Sequence, residues 1–118
     1  MLCEKTGAKM KVIPMNDKGE LDLNAFSNLL SDKTKIVFVN HVSNALGTVN
    51  NIQEIIEKSH QVGAAVLIDG AQAVPHFKVD VRKLDVDFYV CSAHKFCGPT
   101  GVGILYGKKE WLETVSYT

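Results

Sequence analysis

Three observations in the sequence predict an α/β fold built on a mainly parallel sheet with an antiparallel last strand. Two short unbroken apolar runs, Ile36-Val37-Phe38-Val39 and Ala65-Val66-Leu67-Ile68, have the length of strands and the composition of strands covered on both faces. Between them the apolar residues recur at helical spacing, which gives the strand–helix–strand order of a parallel pair. Before the last strand the chain has only about ten residues rich in Gly and Pro, too few for a helical crossover, so that strand is expected to run antiparallel.

Taken in order, Lys11-Val12-Ile13-Pro14 reads as a short strand that stops at the proline. Leu23, Phe26, Leu29 and Leu30 mark the apolar stripe of a helix, with Asp22 placed to cap its first turn. After the strand at residues 36–39, Ile52, Ile55, Ile56 and Val62 write a second helix. Glu54 and Lys58 form an i,i+4 pair on its polar side, and Gly63 is placed to end it. The strand at residues 65–68 ends at Asp69-Gly70, and a short helical segment is expected around Val81–Leu84. Phe88-Tyr89-Val90 reads as a strand and Gly103-Ile104-Leu105-Tyr106 as the last one, closed by Gly107. Glu110-Trp111-Leu112 begins a final helix.

Composition narrows the function classes. The 118 residues carry 13 Lys+Arg against 13 Asp+Glu, so there is no basic footprint for nucleic acid, and none is expected as a partner. A single domain, or part of one, is the size expected for this length. Apolar runs of a few residues fall well short of the roughly 20 that a membrane span needs, and no secretory leader pattern opens the chain. Three cysteines without framework spacing fit a reducing, cytoplasmic setting.

In open α/β sheets ligands bind beyond the carboxyl ends of the strands. Three polar clusters follow strands in that way: His41 to Asn44, Asp69 to Gln72, and Ser92 to Lys95. Asp69 reads either as an ordinary Asp-Gly turn residue or as a carboxylate at a dry strand end, able to pair with a buried cation. Lys95 reads either as solvated surface or, between a strand and a Gly-rich turn and beside His94, as an amine whose pKa is lowered enough to attack a carbonyl. Ser92 and His94 flank it as candidate phosphate donors. Gly98-Pro99-Thr100-Gly101-Val102-Gly103 matches no phosphate-loop fingerprint, and tight turning explains it better. Cys91, His94 and Cys97 are one ligand short of a structural zinc site, and Cys91 belongs to an apolar strand, so no metal is expected. His60 and His76 have no partner pattern and are expected at the surface or in packing roles.

The pair Asp69-x-x-Gln72 followed by Ser92-x-His94-Lys95 resembles the cofactor core of pyridoxal-phosphate enzymes of the class V aminotransferase group. HVSNALGT (41–48), VLIDGAQAVPH (66–76), VDVRKLDVDFYV (79–90) and SAHKFCGPTGVGILYGKKEWL (92–112) are similar in particular to SufS-type cysteine desulfurases. So is the opening LCEKTGAKMKVIPMNDKGELDL, and the likeness fails only around Ser116-Tyr117-Thr118. The resemblance implies a partial PLP-transferase large domain with three-layer α/β/α-like character, residues 1–118 forming its central part without the small C-terminal domain. It implies that Lys95 holds pyridoxal 5'-phosphate through a Schiff base and that Asp69 pairs with the pyridine nitrogen. Gln72 would meet the phenolic oxygen, Ser92 and His94 the phosphate, and Asn44 the substrate carboxylate; His41 carries no assigned role. The implied reaction takes L-cysteine to L-alanine, sulfur passing to an enzyme persulfide and on to an acceptor protein for iron–sulfur cluster assembly.

Most of such an enzyme lies outside these residues. The group that stacks on the pyridine, the second phosphate loop, the persulfide-forming cysteine and the carboxylate-gripping arginine have no counterpart here. Cys3, Cys91 and Cys97 do not match the nucleophile position, and Cys97 stands where the family commonly has an aromatic residue. Met1 aligns with interior family sequence, as an internal methionine, a truncated frame or an engineered start would. The chain alone is therefore expected to be inactive as a desulfurase. Apolar faces and strand edges left without partners imply a self-associated homodimer. A selenocysteine lyase or another class V enzyme is the alternative within enzymes, and an oligomeric remnant without cofactor is the alternative outside them.

Overall fold

The computed structural model describes residues 2–113. Helices α1 (Leu2–Thr6), α2 (Leu23–Leu29), α3 (Ile52–Gln61), α4 (Val81–Leu84) and α5 (Lys109–Glu113) accompany strands β1 (Ile36–Asn40), β2 (Ala65–Asp69), β3 (Phe88–Ser92) and β4 (Gly103–Gly107). A 3₁₀ turn, Ala93–Phe96, follows β3 directly. The strands form one sheet in the order β1-β2-β3-β4. β1, β2 and β3 are parallel and β4 is antiparallel to β3, as expected from the short final connection. The mainly parallel α/β class is borne out.

Local chemistry accounts for the helices. Asp22 caps α2 by accepting from the amides of Asn24 and Ala25, which have no partner inside the first turn. Asn51 caps α3 in the same way through Glu54 N–H. The Glu54–Lys58 pair closes at 2.7 Å, and Lys58 Nζ also donates to Ser27 Oγ at 2.9 Å, tying α3 to α2. Gly63 ends α3 at φ +73°, a left-handed conformation that a side chain would strain. Ile52, Ile55 and Ile56 turn inward onto Val37, Val39, Val66 and Ile68 with Phe26 alongside. Each such side chain, fully buried, contributes roughly 1.5–3 kcal/mol from removal of apolar surface from water.

Two strand expectations need correction. Among the described residues, residues 11–14 pair with no strand; instead Met15 bridges Leu21 and closes a small loop, with Val12 75% exposed. Pro14 has no N–H to give a ladder, and the loop closes through Asp22 N–H to Pro14 O at 2.9 Å. The second correction concerns β1, whose unbroken apolar run suggested cover on both faces. Val37 and Val39 are buried, but Ile36 and Phe38 on the opposite face are 58% and 63% exposed. α2 and α3 lie on the first face, whereas on the second, among the described residues, α5 reaches only the far end, where Trp111 meets Phe88 at 6.2 Å between ring centroids.

α1, not anticipated, has no apolar stripe to announce it. The family departure at residues 116–118 lies outside the described residues.

Candidate active site

Parallel register places the three polar clusters at one end of the sheet. Asn40 is level with Asp69, and Asp69 with Val90, so β1 and β2 finish together while β3 runs two residues further, to Ser92. His41 and Gly70 therefore open adjacent loops, and the turn that starts at Ala93 follows on the neighbouring strand at the same end of the sheet.

Asp69 is fixed by its surroundings. Its carbonyl accepts from His41 N–H at 2.8 Å, and its Oδ1 accepts from Ala71 N–H at 2.9 Å, an Asx turn that starts the next loop. The turn reading of Asp69 is seen directly, and among the described residues its second carboxylate oxygen has no hydrogen bond. Gly70 donates to Val90 O at 2.7 Å, clamping the loop onto β3. The loop then turns through Ala73, whose carbonyl accepts from His76 and Phe77 N–H.

Gln72 Nε2 donates to Asn44 Oδ1, joining the second cluster to the first. Asn44 is held in a turn closed by Ser43 N–H to Thr48 O at 2.8 Å and Gly47 N–H to Ser43 O at 3.0 Å. An amide NH2 has two hydrogens, so Gln72 keeps one for another acceptor.

The third cluster is presented on the 3₁₀ turn. Ser92 is the last residue of β3 and its hydroxyl does not cap the turn. His94 is exposed and Lys95 half-buried. The turn is pinned at both ends, by Ala93 N–H to Val102 O at 3.0 Å and by Gly98 N–H to Ala93 O at 2.9 Å. Cys97 caps it in the left-handed region at φ +68°, and Gly101 turns at φ +79°. The Gly-rich segment thus serves the tight turn expected of it. Among the described residues no hydrogen bond or ion pair joins Lys95, His94 or Ser92 to Asp69 or Gln72. The rim is shared, and the first two clusters alone are bonded to each other.

Electrostatics sharpen the picture at the rim. Burial lowers the His41 pKa from its ordinary value, favouring the neutral ring. Burial raises the Tyr89 hydroxyl, and the neighbouring Cys91 and Asp69 charges push it further, so it remains a proton donor. Cys91 is raised by burial and then by Asp69, which makes it a poor thiolate and supports its reading as a strand hydrophobe.

Two residues carry more than sequence reasoning gave them. His41 Nδ1 lies 2.9 Å from the Tyr89 hydroxyl. Nothing in an apolar Phe-Tyr-Val strand signals that contact. His60 is a correction: far from lacking a partner, it stands 2.8 Å from Asp87, which lies beyond β2 in sequence and beside α3 in space.

The donor set fits pyridoxal phosphate. A carboxylate with an uncommitted oxygen suits a protonated ring nitrogen, an amide N–H suits a phenolate, and a hydroxyl and an imidazole suit a phosphate. An amine stands on the same turn as the last two. Asp69 at the end of β2 and Lys95 on the turn after β3 thus share one rim of an α/β sheet, with no bond between them. The family model described as aminotransferase class-V matches residues 1–117, and the chain belongs to that family.

Individual relatives agree. A cysteine desulfurase of Cronobacter sakazakii is 53% identical over 115 residues, covering 98% of this chain and 28% of the relative. One of Escherichia coli O8 is 54% identical over 113 residues, covering 96% and 28%. Among solved structures, the cysteine desulfurase CsdA of Escherichia coli superposes with a TM-score of 0.90 at 39% identity, covering 95% of this chain and 28% of that one. The apo cysteine desulfurase of Thermococcus onnurineus NA1 gives 0.88 at 39% identity, covering 96% and 28%. The chain thus spans 28% of the length of these relatives.

Proposed function

We propose that residues 1–118 are the cofactor-binding core of a pyridoxal-phosphate-dependent cysteine desulfurase of the SufS type. Such an enzyme takes L-cysteine to L-alanine and passes the sulfur, as an enzyme persulfide, to an acceptor protein for iron–sulfur cluster assembly. The observation that carries the reading is the common rim: Asp69, the Gln72–Asn44 pair and the Ser92-x-His94-Lys95 turn all stand at the carboxyl ends of three parallel strands in register. Similarity to bacterial cysteine desulfurases supports it.

Each residue has one task in this reading. The Lys95 amine, half-buried beside Phe96, would hold the cofactor at its aldehyde group. Asp69 holds a proton on the pyridine nitrogen through the carboxylate oxygen not engaged by Ala71. Gln72 donates its second N–H to the phenolic oxygen. Ser92 and His94 hold the phosphate at the start of the 3₁₀ turn, and Asn44 orients the substrate carboxylate. When bound, pyridoxal phosphate supplies an electron sink that lowers the cost of removing the substrate's α-proton.

The chain by itself is proposed to lack desulfurase activity, because none of Cys3, Cys91 and Cys97 is placed as the acceptor thiol. Cys91 lies within β3 with its thiol pKa raised by burial, and by the resemblance neither it nor Cys97 or Cys3 matches the nucleophile position. Self-association is proposed through the face bearing Ile36, Phe38 and Leu105, exposed at 58%, 63% and 58%. Free cysteines, together with the absence of any helix long and apolar enough to cross a membrane among the described residues, are consistent with the proposed cytoplasmic setting.

The test is an absorbance titration with pyridoxal phosphate, run on the parent and on Lys95→Ala. A saturable visible band in the parent alone, with borohydride reduction fixing the label on Lys95, is the expected result. Label spread over surface lysines, or unchanged in Lys95→Ala, refutes the site. Absence of any specific band favours a remnant that keeps the fold without the cofactor.

A further inference from the structure

The loop that presents Asp69 rests on a buried aromatic ring. Tyr89 is 4% exposed, and its ring fills the space where a side chain at residue 70 would stand. A Cβ built on Gly70 would fall 1.9 Å from Tyr89 Cε1 and 2.2 Å from its hydroxyl oxygen, so only glycine admits the ring here. The hydroxyl then reaches past β2 to the end of β1, where it meets His41 Nδ1 at 2.9 Å. His41 is itself fixed on three sides. Its N–H donates to Asp69 O at 2.8 Å and its carbonyl accepts from Asn50 N–H at 2.9 Å. Its ring meets Phe77, at the far end of the Asp69 loop, edge-on at 5.1 Å between centroids.

We infer that His41 and Tyr89 are a positioning pair, whose hydrogen bond ties the ends of β1 and β3 together beneath the turn at residues 69–74 and so fixes where Asp69 and Gln72 stand. In this inference the pair acts through the turn above it. Its bearing on cofactor binding rests on the proposed reading of the site; its bearing on the turn does not. A phenol buried under a glycine turn has few donors or acceptors within reach, so loss of His41 leaves the hydroxyl unpaired, and loss of the hydroxyl frees the imidazole to tilt away from Phe77.

Amide hydrogen exchange on the chain without cofactor tests the pair. Tyr89→Phe keeps the ring beneath Gly70 and removes only the hydroxyl. It should speed exchange at the Ala71, Ala73 and Val74 amides by about tenfold, one hydrogen bond's worth, while Val66 and Ile68 in β2 keep their parent rates. His41→Ala should do the same, and His41→Asn, which restores a partner near the Nδ1 position, should recover most of the protection. Unchanged turn amides in both Tyr89→Phe and His41→Ala overturn the inference. Equal acceleration at Val66 and Ile68 overturns it too, because it makes the contact a general stability element. A parallel titration with pyridoxal phosphate should show Tyr89→Phe weakened only as far as its closed-turn population falls. Failure of the parent to bind the cofactor counts against the functional reading alone, since the exchange result still decides the pair.

Discussion

Replacing Asp87 should be the most damaging single change away from the rim. Its carboxylate is 4% exposed and is surrounded by donors. Oδ2 accepts from Val66 N–H at 2.7 Å and from His60 Nε2 at 2.8 Å; Oδ1 accepts from Trp111 Nε1 at 3.1 Å and from Lys108 Nζ at 3.2 Å. Burial alone would raise its pKa, but bonds from His60, Val66, Trp111 and Lys108 outweigh burial and hold it below the ordinary 3.8. Asp87→Ala strips all four partners at once and should cost about 3–5 kcal/mol, the range for a broken buried ion pair. Asp87→Asn is the sharper probe. Whichever way its amide turns, the NH2 faces two of the donors, so about 2–4 kcal/mol should still be lost despite unchanged volume. Urea unfolding of the chain at neutral pH measures both. The pH dependence carries a definite sign. A depressed carboxylate contributes stability that is fully present above 3.8 and is lost as pH falls through the lower folded value. Lys108 runs the other way. Burial lowers its pKa, but bonds to Asp85 and Asp87 prevail and raise it above 10.5, so its share is full below 10.5 and lost as pH rises through the higher folded value. An Asp87→Asn variant within about 0.5 kcal/mol of the parent, or with an unaltered acid limb, would refute this account of the cluster.

Two further substitutions probe the turn and the cap. Gly98→Ala brings a Cβ to 2.8 Å from Ala93 Cβ and 2.9 Å from Ala93 O, a backbone contact that cannot rotate away; about 1–3 kcal/mol of stability should be lost in urea unfolding, with weaker pyridoxal phosphate binding as the Lys95 turn is displaced. Asp22→Ala removes the side-chain acceptor for Asn24 and Ala25 N–H and should lower stability by about 0.5–2 kcal/mol in the same assay.

Much of the fold is written locally. Ile55 and Ile56 are one helical stripe, Asp22 and Gly63 are caps, and the short Gly-Pro connection leaves β4 no way to run parallel. Each of these needs only neighbours in sequence. What sequence could not supply depended on what lies across the sheet. Ile36 and Phe38 carry the same apolar signal as Val37 and Val39, and hydrophobicity has no memory of which face a layer will cover. Residues 11–14 have the apolar content of a strand, yet among the described residues they form no ladder with the sheet. His60 and Asp87 lie on different elements, and His41 and Tyr89 two strands apart, so no spacing rule links either pair. The candidate site itself was legible because its residue types cluster directly after strands, and parallel register carried the clusters to one rim.

The two ends of the sheet are built on opposite principles, and that difference bears on which end does chemistry. At the amino end of β3 both oxygens of Asp87 are engaged by the fold, and Lys108 and His60 are held between Asp85 and Asp87. A group so occupied cannot take a ligand without breaking the contacts that bury it. At the carboxyl end the polar groups are half-buried and hold bonds in reserve: one oxygen of Asp69, one N–H of Gln72, the Ser92 hydroxyl, the Lys95 amine. Groups that hydration satisfies when empty can exchange water for a ligand at little cost to the fold. Yet the two ends are not independent, because β2 runs from Val66, clamped by Asp87, to Asp69 within a few residues. The saturated end anchors the strand whose other end must present a carboxylate in register. Among the described residues both Asp87 oxygens are paired, so the end of β2 opposite the proposed site is held without help from any ligand.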